Sequence, residues 1–396
     1  MNIPHDRFCV LPWISLETSP VGTVRPCCLA DHEITDDFGN KCKLDTHDFD
    51  IIRNTFHMRQ LRQEFLQGQQ PDTCRKCWQE ESAGRTSKRM HTLDRLKHMG
   101  IDAEWTQDAK PLMFLDLKLG NICNLKCRIC GSWSSSTYAV EEIANDETGN
   151  AKASFHYEML KNGRWPRESG HFWSELDRNL DEIRYLEFTG GEPFMIEEHF
   201  NFLRRLVETH YNTNGTIWPE IALDIWPHFR LVEIAFSIDD VGARFEYQRS
   251  NAVWTEVCAN IERFKRLRQR HGNIQLQVCC TVNIFNVFYL PVVAQWIDQQ
   301  KFDFVYWNIM HDAEYFSIRS LPDSAKTVIA DHLRTALVPE RTQHEFNNVI
   351  TFMRRGVSTD GDRMRAEIAR VDRRREQNLC QVAPELAQII NYAGPC

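Results

Sequence analysis

Cys123, Cys127 and Cys130 stand in GNICNLKCRICGS, a C-x3-C-x2-C run. Three thiolates this close suit three irons of a 4Fe-4S cube and leave the fourth iron open to a ligand, whereas a closed zinc or cluster site takes four protein ligands. A second group lies near the N-terminus: Cys9-x12-Gly22-x4-Cys27, followed by Cys74-x2-Cys77. These are two half-sites of two thiolates each, and four thiolates satisfy either a cluster or Zn2+. Cys28, beside Cys27, and Cys42, in the intervening stretch, compete for the same places. The remaining cysteines, Cys258, Cys279, Cys280, Cys380 and Cys396, are scattered and read as small buried hydrophobes.

Other residues gather at the ends of apolar runs. Thr189-Gly190-Gly191-Glu192-Pro193 sets two glycines, which let backbone approach a ligand closely, beside a carboxylate able to pair with an ammonium. Ser237 and Asp239 in FSIDD place polar groups at another such end. Arg249 in FEYQRSN, Asn214 in TNGT, Asn283 in TVN and Met310 are weaker candidates, for which turn, core or surface roles stand beside ligand binding.

The elements that must carry these residues alternate. LMFLDLKLG (112–120), IRYLEFTGG (183–191), LVEIAFSID (231–239), IQLQVCCTVN (274–283) and FVYWNIM (304–310) read as buried strands, with a weaker one at THYNTN (209–214). Between them EEHFNFLRRLVE, VWTEVCANIERFKRLRQ and LPVVAQWIDQQ carry helical periodicity. Alternation of this kind predicts a parallel sheet with helical crossovers. Six units are fewer than the eight of a closed barrel, so the expected architecture is α/β, a partial (β/α)6 TIM-type barrel with a small N-terminal cysteine-rich domain and a helical C-terminal segment. The expected divisions are 1–90 for the cysteine-rich domain, 91–110 for a linker within a charged helical stretch, 111–315 for the barrel and 316–396 for the helical segment. The triplet then follows the first barrel strand, where such folds place active-site loops.

Composition narrows the classes. The 396 residues are 42% hydrophobic and 26% charged, ordinary globular values for one large domain and a smaller one. A net charge of −8 disfavours a nucleic-acid partner, which asks for a basic face. The start, MNIPHDRFCVLPW, lacks the positive and apolar regions of a secretory signal, and no run of 18 apolar residues occurs. The expected location is therefore the cytoplasm, with no membrane contact. There thiols stay reduced, so the 14 cysteines are not expected to form a disulfide framework.

The triplet, GGEP and SxD together resemble the radical S-adenosylmethionine superfamily over about residues 111–315. The resemblance implies that Cys123, Cys127 and Cys130 hold a 4Fe-4S cluster whose open iron chelates S-adenosylmethionine. An electron from that cluster would cleave the sulfonium, and the resulting 5′-deoxyadenosyl radical would abstract hydrogen from substrate. It further implies that Gly190, Gly191 and Glu192 meet the methionine amino group, Ser237 and Asp239 the ribose or methionyl part, and Arg249 the carboxylate, with Asn283 and Met310 as further cofactor contacts. Ile129 stands where the family usually has an aromatic residue near the adenine.

The N-terminal cysteines resemble the Twitch half of SPASM/Twitch domains, with their C-x9-15-G-x4-C hallmark, though here the segment precedes the barrel. That resemblance implies an auxiliary 4Fe-4S cluster held by Cys9, Cys27, Cys74 and Cys77, and an electron-transfer role for it. The implied function is a radical oxidoreductase modifying a peptide or protein, served by a reductant such as flavodoxin or ferredoxin. Redox modification of a small hydroxylated or amino metabolite is the alternative. A glycyl-radical activase would call for ferredoxin-like cysteine spacing, and a non-catalytic iron-sulfur or zinc scaffold would not need GGEP and SxD.

Overall fold

The computed structural model describes residues 3–203, 208–311, 314–355 and 361–394. The strands are β1 (Ser15–Thr18), β2 (Val24–Arg25), β3 (Phe114–Lys118), β4 (Lys126–Cys127), β5 (Tyr185–Thr189), β6 (Glu208–Thr213), β7 (Leu231–Ser237), β8 (Arg249–Ser250), β9 (Ile274–Val282) and β10 (Phe304–Ile309). Eight form one sheet in the order β10-β9-β7-β6-β5-β3-β1-β2, and β4 pairs with β8. The six expected strands are thus all present and neighbour one another in chain order, as in a partial (β/α)6 barrel. Pairs β1/β3, β3/β5, β5/β6 and β9/β10 are parallel, and β2 is antiparallel to β1.

The chain folds as two compact units, one of residues 1–124, 132–212 and 219–233, the other of 125–131, 213–218 and 234–396. In the first, strand alternation separates two chemistries. Leu115, Leu117, Leu186, Phe188 and Tyr211 lie on one face of β3, β5 and β6 and are buried. Phe188 and Tyr211 stack with centroids 5.2 Å apart. The opposite face carries Asp116, Lys118, Tyr185, Glu187, Thr189 and His210. The helix Lys88–His98 meets this polar face. It starts at Ser87, whose hydroxyl accepts from the Met90 amide, and the chain turns out at Gly100 with φ +66°. The expected charged helical stretch is therefore shorter than its composition suggested, since residues 101–113 hold no helix.

In the second unit the helix Trp254–Arg270 buries Val257, Ile261, Phe264 and Leu267, the spacing of a single apolar stripe. Leu290–Gln300 opens on a proline in its first turn. The C-terminal segment is helical as expected: Asp323–Thr335, Glu340–Arg354, Asp362–Arg375, Leu379–Val382 and Pro384–Ile389. Of the expected helix EEHFNFLRRLVE, the described part is a 3-10 turn at Glu197–His199 and an α-helical turn at Phe200–Leu203; residues 204–207 lie outside the described residues. Cys280 is buried and Cys258, Cys279 and Cys380 are half-buried, while Cys396 lies outside the described residues. Among the described residues no helix is long and apolar enough to cross a membrane.

Candidate functional site

In the first unit the GGEP turn leaves β5 and closes onto the segment that leads to Cys123. Gly190 and Gly191 adopt φ +71° and +59°, and the Glu192 amide donates to the Ile122 carbonyl at 2.8 Å. A Cβ at Gly191 would stand 2.4 Å from that same carbonyl oxygen, so only glycine fits. Glu192 is fully buried, and its carboxylate accepts from the Phe194 amide at 3.2 Å, capping the turn that follows. Cys123 is buried; its amide donates to Ser136 Oγ at 3.2 Å and its carbonyl accepts from Thr137 Oγ1 at 2.5 Å. Two motifs remote in sequence are thereby joined through adjacent backbone.

The N-terminal cysteines lie in the same unit. Cys9, Cys27, Cys74 and Cys77 fall within electrostatic reach of one another. Burial raises all four thiols, that of Cys77 to about 12, and Cys27 raises Cys9, Cys74 and Cys77 further. Cys28 feels a different set of groups: its thiol is raised by burial, lowered by Lys88, and raised again by Asp116, Glu187 and its neighbour Cys27. Cys42, raised to about 11 by burial, sits near Asp36 and Asp37. The four cysteines of the two half-sites thus act on one another, whereas Cys28 responds to Cys27 alone of the four and Cys42 to nearby carboxylates. As the side chains stand, no group of three or more His, Cys, Asp or Glu among the described residues lies at metal-ligand spacing. In number and type the four cysteines, Cys9 and Cys77 buried and Cys27 and Cys74 half-buried, match the donor set of a four-ligand iron-sulfur or zinc centre.

Cys28 looks onto a feature that residue spacing did not reveal. Across the polar face, Glu17 stands opposite Asp116, Asp116 opposite Glu187, and Glu187 opposite His210. Acidic groups directly opposed in a sheet repel, and cations offset them here. Arg25 holds Glu17 through two bonds of 2.8 and 3.0 Å, Lys118 pairs with Glu17, and Lys88 donates to Glu187 at 2.6 Å. At the end of the row Arg95 reaches Glu233 at 3.0 Å and lies over the Tyr185 ring. Burial alone would raise Glu187, but Lys88, His210 and Arg95 outweigh it and hold the carboxyl at about 2. Asp116 goes the other way, raised by burial and, against the pull of Lys118, by Glu187 and Glu17.

In the second unit Cys127 pairs with Arg249 across the short β4/β8 ladder. Arg249 Nη1 lies 3.7 Å from Cys127 Sγ while its Nη2 donates to Asp239 Oδ2 at 2.6 Å. Asp239 is fully buried, and its other oxygen accepts from the Thr281 amide at 2.9 Å. A hydrogen bond with Cys130, set against burial and assisted by Arg249, lowers the Cys127 thiol to about 7. The donors thus fit a metal, which needs thiolate. Cys130 is exposed and Ile129 half-buried. Arg249 is buried, which removes the surface reading of this residue.

The weaker candidates have local duties. Asn283 Nδ2 donates to Gln248 Oε1 and the Thr281 carbonyl, and its Oδ1 accepts from Phe285. Asn214 Oδ1 accepts from the amide and hydroxyl of Thr216. Met310 is a buried residue at the end of β10, and Ser237 ends β7 half-buried.

No protein-family model matches the chain, and no curated protein matches it. Among solved structures it is similar to native anSMEcpe with bound AdoMet and the Cp18Cys peptide, at 15% identity and a TM-score of 0.36 over 57% of this chain and 59% of that one. It is also similar to Streptococcus suis SuiB bound to the precursor peptide SuiA (14%, TM-score 0.36, 64% and 50%) and to TYW1 with a lysine-pyruvate adduct (11%, TM-score 0.30, 57% and 71%). The match spans under two thirds of the anSMEcpe and SuiB chains.

Proposed function

We propose that this protein is a radical S-adenosylmethionine enzyme that carries out an oxidative modification of a peptide or protein. The observation that carries the reading is the hydrogen bond from the Glu192 amide to the Ile122 carbonyl, which ties the GGEP turn to the approach of Cys123. The pairing of Lys118 with Thr189 sets the two strand ends side by side, and this bond brings their motifs together at one point. In this reading Cys123, Cys127 and Cys130 hold the radical cluster, and Cys9, Cys27, Cys74 and Cys77 an auxiliary one. The first cluster, when bound with S-adenosylmethionine, supplies the hydrogen-abstracting radical, and the second accepts an electron.

The chain's own groups then have defined tasks. Arg249 offers a buried cation beside Cys127, stabilising thiolate, and Asp239 holds that guanidinium in place. Gly190 and Gly191 let the turn lie against Lys118 and the Ile122 carbonyl in a left-handed backbone, and the buried Glu192 carboxylate held by that turn would receive the methionyl ammonium. An external reductant such as flavodoxin or ferredoxin and a cytoplasmic setting belong to the same proposal.

The test is anaerobic reconstitution. The protein is expected to bind about eight irons per chain and to convert S-adenosylmethionine to 5′-deoxyadenosine, with label from a deuterated substrate peptide entering that product. Replacing Cys123, Cys127 and Cys130 by Ala should remove about half the iron and end cleavage. Cleavage that survives in that variant would sink the reading. Zinc in place of iron at the N-terminal four would remove its oxidative half.

A further inference from the structure

The C-terminal segment closes on the residues that flank Cys127. Arg128 and Asp372 form an ion pair at 2.5 Å with both side chains fully excluded from solvent. Arg128 also donates through Nε to the Tyr247 carbonyl at 2.9 Å and through Nη2 to Gln377 Oε1 at 2.8 Å, and its guanidinium lies 3.7 Å over the Tyr247 ring. Asp372 is equally engaged. Oδ1 accepts from Tyr247 Oη at 2.8 Å, and Oδ2 from the Leu379 amide and Tyr392 Oη, each at 3.1 Å. One turn later on the same helix, Arg375 Nη1 donates to the Lys126 carbonyl at 2.8 Å and to Ser250 Oγ at 3.2 Å. Cys127 is therefore gripped from both neighbours, Lys126 and Arg128, by the helix Asp362–Arg375.

A buried ion pair is a poor way to gain stability, because desolvating both charges offsets their attraction, and such pairs are better explained where they fix a register. Here the register is that of the cluster-bearing loop. A planar guanidinium whose Nε and Nη2 are held at once by the Tyr247 carbonyl, Asp372 and Gln377 restricts the placement of Arg128 and with it that of the Cys127 backbone.

Resting on the functional reading above, the geometry points to Asp372 and Arg128 as positioning residues: the C-terminal helix is a latch that holds Cys127 and Cys130 in the arrangement the radical cluster requires. The segment is then part of the site's machinery, not only a cap.

Two readouts test this on the full chain. In metal-free protein, Cys127 is 4% exposed, and its alkylation by iodoacetamide is followed by mass spectrometry. Asp372→Asn and Arg128→Lys are expected to raise its rate at least tenfold, with the already exposed Cys130 changing far less. Glu367→Gln, at a half-exposed Arg370 pair on the same helix, should leave both rates alone. In reconstituted protein the same two variants should lose or alter the electron paramagnetic resonance signal that responds to S-adenosylmethionine, while the auxiliary iron stays. Should Asp372→Asn fail to fold by circular dichroism, Tyr392→Phe, which removes one donor to Asp372, should raise the Cys127 alkylation rate by a smaller factor. Unchanged Cys127 alkylation in folded Arg128→Lys and Tyr392→Phe overturns the latch, whatever the cluster does. A parent protein with no S-adenosylmethionine-responsive signal would instead overturn the functional reading and leave the alkylation arm to judge the latch.

Discussion

Thr189 donates its hydroxyl to Asp116 Oδ1 at 2.8 Å, joining the last residue of β5 to the middle of β3 one position ahead of the GGEP turn. Asp116 is buried, and its other oxygen has no hydrogen-bond partner among the described residues. The threonine is thus this carboxylate's hydrogen-bond anchor and the turn's base. Thr189→Val should cost about 1–3 kcal/mol, the usual penalty for leaving a buried acceptor unmade, whereas Thr189→Ser should cost little. Urea denaturation of both variants checks this; equal stability would show that the bond carries no weight.

At Gly191 the expected defect is steric. An alanine there would meet the Ile122 carbonyl in a left-handed backbone conformation, and the conformation alone costs about 1–2 kcal/mol. Gly191→Ala is expected to weaken S-adenosylmethionine binding measured by calorimetry even where melting shows the chain still folded, because relief of the clash must move either the turn or the segment leading to Cys123.

Lys88 and Glu187 should be strongly coupled. Both side chains are half-buried, so removing one partner leaves the other's charge uncompensated in a partly dry site, which should cost more than removing both. Lys88→Met and Glu187→Gln should each destabilise the chain, and the double variant should recover part of the loss. Additive losses in a double-mutant cycle would contradict the pairing.

Two carboxyls set opposite pH trends. Glu187, held at about 2 against an ordinary 4.5, contributes stability that is present above pH 4.5 and is lost as pH falls toward 2. Asp240, which burial pushes up to about 6 from 3.8 against the pull of Arg244, carries a penalty that grows between those values and is constant above them. Relative to the parent, Asp240→Asn should therefore gain stability as pH rises from 4 to 6, by up to about 3 kcal/mol at roughly 1.36 kcal/mol per unit. Thermal melts across that range decide it, and a flat difference would show that Asp240 does not titrate there.

The two half-sites make a prediction about iron. If the proposed auxiliary centre is present, Cys27→Ala should lose its iron, whereas Cys28→Ala and Cys42→Ala should keep it, since of the three only Cys27 acts on Cys9, Cys74 and Cys77. Iron analysis of the three variants checks this; loss in Cys28→Ala would redraw the ligand set.

The six strands were legible because each is a short β-rich run with the alternating pattern of a sheet, and the glycines and acid of GGEP announced a turn. β1 and β2 carry four and two residues, too few for a period to register. The charged row across β1, β3, β5 and β6 was hidden for a different reason. Each acid is single within its own strand, and only lateral register brings Glu17, Asp116, Glu187 and His210 into line. Arg128 was hidden inside the triplet itself, where the cysteines draw the eye and where its partner, Asp372, lies more than 240 positions away. Asn283 and Met310, expected as cofactor contacts, lie at strand ends where Asn283 bonds locally and Met310 is buried.

The pairing of β1 with β3 bears on how the chain is made. Ser15 meets Phe114, Leu16 meets Leu115 and Glu17 meets Asp116, so the sheet neighbour of β1 emerges from the ribosome roughly 100 residues later. At about 5–20 residues per second that is a wait on the order of 5–20 s, during which β1 has only the short hairpin with β2 for a partner and Glu17 has Arg25 but not Lys118. Cys9 and Cys27 wait a shorter time, roughly half that length of chain, before Cys74 and Cys77 are made. Until residues 114–116 are made, the β3-facing edge of β1 has no partner, so nascent chains stalled before that point should depend most on chaperones.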